Sequence, residues 1–195
     1  MHLLDFLYQS LSQNLHMTDR EKPTRDFLKE ALAADFEVYE KYSGWHKHGG
    51  EKVYYDLVLR AKDHLVQQGF DPGYFVIEVK LFNLDDVQKH DVKARDMMWQ
   101  CVAYSFSDIE LPSGELVRPL FVLYYIDGSG VKPEYEKEIN ALHHFVQRGG
   151  VGRLVFERID PGQWLLNFGG SRYFSKRRGR GSHNVGVKRQ TGSSR

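Results

Sequence analysis

Three charged residues stand inside segments that otherwise read as buried strand. Residues 74–82 run Tyr-Phe-Val-Ile-Glu-Val-Lys-Leu-Phe. Side chains two apart on a strand point the same way, so Glu78 and Lys80 share one face, while Phe75, Ile77, Val79 and Leu81 occupy the other. Upstream, Asp56 interrupts Val53-Tyr54-Tyr55-Asp56-Leu57-Val58-Leu59. A charge within a mostly buried strand is costly unless it is paired or coordinates metal, so Asp56, Glu78 and Lys80 read as a built site. Carboxylate oxygens suit Mg²⁺, which keeps several waters and binds through one or two acids plus substrate phosphate; the Val79 carbonyl adds a further oxygen. Such an ion lowers the pKa of bound water and neutralises a phosphate oxygen. An adjacent lysine orients the water or stabilises the phosphate as charge develops. Together these groups fit phosphodiester hydrolysis.

The elements that must carry them follow from periodicity. Leu3, Leu4, Leu7, Leu11 and Leu15 predict an amphipathic helix over 2–16. Thr18 with Glu21 has the form of a capping box, and Pro23 suits a first turn. A second helix over 24–35 turns Phe27, Leu28, Ala31 and Leu32 inward. From Phe36 the period becomes two, and Phe36, Val38, Glu40 and Tyr42 share a strand face. Residues 44–50, with Gly44, Gly49 and Gly50, read as a turn, and strands follow at 52–60 and 74–82 across a linker with Gly69, Pro72 and Gly73. A helix over 84–107 has Val87, Ala94, Met97, Met98, Cys101 and Val102 as its apolar stripe. The strand at 118–126 is continuously apolar and so buried on both faces. A helix at 134–148 and strands at 152–158 and 163–168 complete the chain. The order αα-βββ-α-β-α-ββ predicts an α/β fold, a mixed sheet flanked by helices.

Asp56, 21 intervening residues and then Glu78-Val79-Lys80 resemble the PD-(D/E)XK nuclease superfamily, whose signature is an acid, a variable gap and (Asp/Glu)-X-Lys on the next strand. RecB-like members carry Gln-x-x-x-Tyr on the following helix; here Gln100 and Tyr104 lie four apart, on one helical face. The α-β-β-β-α-β order over about 24–126 is also that family's core. The resemblance implies a restriction-endonuclease-like fold and a Mg²⁺-dependent DNA nuclease in which Mn²⁺ substitutes. It places Asp56, Glu78 and the Val79 carbonyl on the metal, Lys80 at the attacking water, Gln100 beside Lys80 or the DNA, and Tyr104 toward nucleic acid. Tyr55 stands where the motif has its proline, which changes no ligand. For the acid that many members place on the preceding helix, Glu30 is chosen over Glu21 and Glu40. The single cysteine, Cys101, excludes the iron–sulfur members.

Composition sets the frame. The chain has 195 residues, 41% apolar and 13% aromatic, enough for one sizeable core, and one domain over 1–174 is expected: helices within 2–35, the core over 24–126 and an extension over 127–174. Its apolar runs fall far short of the ~20 residues that span a bilayer. No signal-peptide pattern opens it. A soluble cytoplasmic protein is expected. The net charge of +1 is unevenly divided. Residues 175–195 hold seven of the 27 basic groups and no acid, leaving a body of 20 basic and 26 acidic residues at −6. That Gly- and Ser-rich tail reads as a flexible cationic arm for phosphate backbones, with Lys176, Arg177, Arg178 and Arg180 as contacts. His46 with His48 and His143 with His144 lack matching ligand spacing, and Gly149–Gly152 stands in the wrong order for a phosphate loop. Trp164, Tyr173 and Phe174 could stack on bases or pack internally. Two alternatives to a nuclease remain: a non-catalytic nucleic-acid adaptor using the arm, and a strand cutter active only as a homodimer or with a recombination or repair partner.

Overall fold

The computed structural model describes residues 21–81, 87–127, 151–157, 160–168 and 171–175. The helices expected at 2–16 and 134–148, and the basic arm from 176, lie outside them. The described chain is mixed α/β, with two sheets and three helices.

Helix α1 (Lys22–Leu32) begins with proline in its first turn, where the missing N–H costs nothing, and buries Leu28 and Leu32 one turn apart. Strand β1 (Phe36–Glu40) follows. The segment expected to turn at 44–50 instead gives strand β2 (Ser43–His46), with the turn confined to the residues after it. Gly44 makes that strand possible. A Cβ there would lie 2.2 Å from the Asp108 carbonyl oxygen and 2.4 Å from the Tyr55 hydroxyl, so only glycine admits so close an approach.

The single strand expected at 52–60 is two: β3 (Lys52–Tyr54) and β4 (Leu57–Ala61). They belong to different sheets, and Asp56 lies at the break. A short helix, α2 (Asp63–Gln67), occupies part of the expected linker. Then come β5 (Tyr74–Leu81), α3 (Val87–Ser105), β6 (Ser107–Glu110), β7 (Leu116–Val117) and β8 (Val122–Asp127). Strands β9 (Gly152–Glu157), β10 (Asp160–Phe168) and β11 (Ser171–Ser175) close the described chain, the last of them not foreseen.

The larger sheet has the order β1-β4-β5-β8-β9-β10-β11 and the smaller β3-β2-β6-β7. Strand β5 is antiparallel to β4 and parallel to β8, which requires the crossover through α3. Both faces of β5 are covered. On one face Phe75, Ile77 and Val79 pack with Leu28 and Leu32 of α1, Phe36, Leu123 and Trp164. On the other Val76 packs with Met97, Cys101 and Tyr104 of α3, Val58, Val122 and Tyr124. Each fully buried Leu, Ile or Phe contributes about 1.5–3 kcal/mol, which holds β5 rigidly between two helices. At the far end of the first core, the buried Asp35 accepts the Trp164 Nε1 hydrogen bond at 2.8 Å and meets His64 Nε2 at 3.1 Å. Trp164 is wholly buried there, which removes it from the candidates for base stacking.

Candidate active site

The site forms where β5 outruns β4. Their ladder ends at Leu57 opposite Ile77, so the N–H groups further along that edge of β5 find no strand partner in β4. Carboxylates replace one. The Val79 N–H donates to Asp56 Oδ2 at 2.8 Å, and the Leu81 N–H donates to Glu21 Oε1 at 3.4 Å. Buried backbone donors need acceptors, and here Asp56 and Glu21 supply them. A strand residue presents its N–H and C=O to the same side, so the Val79 carbonyl belongs to the edge that faces Asp56.

Glu78 projects to the α3 side and is completely buried. Its Oε1 lies 2.5 Å from Lys80 Nζ, an ion pair in which the glutamate is buried and the lysine nearly so. Its Oε2 lies 2.8 Å from the Tyr104 hydroxyl, which is also 2.7 Å from the Tyr54 carbonyl. Arg25 reaches across from α1, its Nη1 3.7 Å from Asp56 Oδ1, with both side chains largely covered. Asp56, Glu78 and Lys80 therefore converge around Val79, with Arg25 and Glu21 at the margin.

Burial, and then the Asp56 charge, push the Glu78 carboxyl up to about 8 against the opposing pull of Lys80. Burial draws the Lys80 ammonium down, but Glu78, and after it Glu21 and Asp56, outweigh that loss and hold it above the ordinary lysine value. Tyr104 is raised well above the usual phenol by burial and by Glu78, so it keeps its proton. Burial also raises the Cys101 thiol, which excludes it as a nucleophile.

Among the described residues no group of three or more His, Cys, Asp and Glu side chains is arranged to hold a metal by itself. The smaller set present is two acids and one strand carbonyl. These are hard oxygen donors, and Mg²⁺ can complete its shell with water and phosphate. The mutual repulsion of Asp56 and Glu78 is what a divalent cation relieves, so the donor set fits such an ion.

The remaining expected residues divide. Gln100 is half-buried a turn before Tyr104, and its side chain makes no hydrogen bond among the described residues. Tyr104 does not turn toward solvent. It is 3% exposed and anchors Glu78, so the expected nucleic-acid contact is replaced by a role inside the site. Glu30 is exposed, and Glu40 pairs with Lys29 at 2.8 Å. The acid that reaches β5 is Glu21, which caps α1, and not Glu30. Arg25 was missed, although its spacing of four from Glu21 puts both on one helical face. Lys176, Arg177, Arg178 and Arg180 lie outside the described residues.

No helix among the described residues is long and apolar enough to cross a membrane. Comparison with protein-family models, characterised proteins and solved structures returns no match.

Proposed function

We propose that this protein is a Mg²⁺-dependent deoxyribonuclease of the PD-(D/E)XK kind, built on a restriction-endonuclease-like arrangement of β4, β5, α3 and β8. The observation that carries this reading is the convergence of Asp56, Glu78 and Lys80 about Val79, at the end of a strand buried on both faces. Asp56, Glu78 and the Val79 carbonyl would hold the ion. When bound, it supplies an acidified water and charge neutralisation at the scissile phosphate. Lys80 positions that water and, as a fixed cation, stabilises the negative charge that grows on the phosphoryl oxygens. Tyr104 holds Glu78 in place through Oε2. Burial of Glu78 removes competing bulk water and strengthens each of these interactions.

A second reading rests on a specific observation. Both carboxylates already face a cation of the chain itself, Lys80 for Glu78 and Arg25 for Asp56, as a non-catalytic adaptor that binds nucleic acid without cutting it would require. One experiment separates the two. Labelled single-stranded, duplex and branched DNA are incubated with the protein in Mg²⁺, Mn²⁺ or EDTA. The nuclease reading expects cleavage with either metal, none in EDTA, and none by folded Asp56→Ala or Lys80→Ala. Undiminished cleavage in both variants excludes this site as the catalytic centre, and binding without cleavage in any metal favours the adaptor.

A further inference from the structure

The smaller sheet presents two large aromatic rings to solvent next to this site. Trp45 is 38% exposed and Tyr54 is 61% exposed. The pairing of Ser43 with Tyr54 and of Trp45 with Lys52 puts Trp45, Lys52 and Tyr54 on one face of β2 and β3, since side chains two apart share a face. Lys52 Nζ lies between the rings, 5.7 Å from the Trp45 centroid and 6.0 Å from that of Tyr54. The indole is held by its edge, Nε1 donating to Glu110 Oε2 at 3.2 Å, while Lys52 lies over one of its faces. Acids on this face are matched: Lys52 is 3.9 Å from Glu110, and Lys47 is 3.2 Å from Asp108.

Exposed rings cost free energy in water unless something covers them. What suits two rings separated by an ammonium is a chain of flat bases joined by phosphates. Each base stacks on a ring, and the lysine meets the phosphate between them. Tyr54 also ties this face to the site: its carbonyl accepts from Tyr104, and Asp56 follows two residues later, at the bend between the two sheets. A strand laid across Trp45 and Tyr54 therefore leads to Asp56.

We propose that the Trp45–Lys52–Tyr54 face is a stacking platform for unpaired nucleotides, and that the substrate class of the neighbouring site is single-stranded DNA. The second half of this statement rests on the nuclease reading; the platform itself does not. Duplex bases are already stacked on each other, so the platform rejects them. Affinity comes chiefly from the rings, and the matched acids keep the electrostatic share small.

The test is fluorescence anisotropy of the full chain with a labelled oligothymidylate of about 12 nucleotides, in EDTA, against the same strand annealed to its complement. The single strand should bind more tightly. Trp45→Ala and Tyr54→Ala should each weaken it about tenfold, and Trp45→Phe and Tyr54→Phe, which keep a ring, should restore most of the loss. Lys52→Gln should lower the slope of log K against log salt by about 0.7, one phosphate's share. Equal affinity for single strand and duplex, or unchanged binding in both alanine variants, overturns the platform. So does a loss that the phenylalanine variants share, because it would mark a packing defect. A parallel Mg²⁺ arm separates the two readings. Ring-dependent binding with no cleavage keeps the platform and rejects the nuclease. Cleavage of the single strand with an unchanged KM in both alanine variants keeps the nuclease and rejects the platform.

Discussion

Glu78 gives the sharpest test of the site's electrostatics. In the folded protein its carboxyl titrates near 8, against 4.5 for an ordinary glutamate. The folded state therefore holds the proton more tightly than the unfolded chain, and the sign follows from linkage. Between these two pH values the unfolded chain is ionised while the native state retains the proton, so stability falls as pH rises through the window and levels off above about 8. At 1.36 kcal/mol per unit, the difference is on the order of 5 kcal/mol. Glu78 is completely buried, so solvent screening does not reduce it. Lys80 stays charged across the window in both states and adds no slope. Glu78→Gln places a neutral, nearly isosteric amide there and removes the titration. Urea unfolding followed by far-ultraviolet circular dichroism, in EDTA, should show the variant gaining on the wild type by several kcal/mol between pH 5 and pH 8.5, at up to ~1.4 kcal/mol per unit. A difference that stays constant to within about 1 kcal/mol over that range would refute the account of Glu78 as a desolvated acid repelled by Asp56.

Three further outcomes follow from the same geometry. Since a metal ligand must be deprotonated, apparent Mg²⁺ affinity measured by titration calorimetry should rise with pH below about 8, by up to tenfold per unit, and flatten above it; a pH-independent affinity removes Glu78 from the ligand set. Tyr104→Phe withdraws the hydroxyl that lies between Glu78 Oε2 and the Tyr54 carbonyl and should cost about 1–3 kcal/mol in urea unfolding at pH 7, a loss absent if those acceptors are satisfied otherwise. Gly44→Ala forces a methyl against the Asp108 carbonyl and the Tyr55 hydroxyl and should lower stability by about 1–3 kcal/mol, visible as a reduced Tm; an unchanged Tm would mean that β2 and β6 separate freely.

The period-two run in 74–81 sufficed to put Glu78 and Lys80 on one face, and Asp56 was visible as a charge in apolar surroundings. The break that gives Asp56 its position was not visible. Residues 52–60 are rich in strand-forming apolar and aromatic side chains on both sides of Asp56, and only the competition between two sheets divides them. β2 was hidden because its glycine signals a turn locally, while the need for it is a carbonyl brought close by β6, more than sixty residues later. Glu30 was preferred to Glu21 because helical spacing reports a face and not a depth along the axis. The Glu21 side chain is taken up by the end of β5, a contact between residues sixty apart that no local pattern encodes. The same limit hid the surface rings. Trp45 and Trp164 both lie in strands of the structure, yet the buried Asp35 accepts the indole N–H of one inside the core, and the rim acid Glu110 accepts that of the other at the surface.

The Tyr104 hydroxyl carries a single hydrogen and has two oxygens within reach. With Glu78 ionised, that hydrogen is drawn to the carboxylate, and the Tyr54 carbonyl loses its donor. With Glu78 protonated, the acid donates to the phenol, the phenol donates onward, and a continuous relay runs from Glu78 to the backbone beneath an outward-facing ring. Any event that ionises Glu78 thus loosens the strand carrying Tyr54, and any ligand that shifts this strand alters the acidity of Glu78. The chemistry of the inner acid and the grip of the outer surface are two readouts of one proton's location.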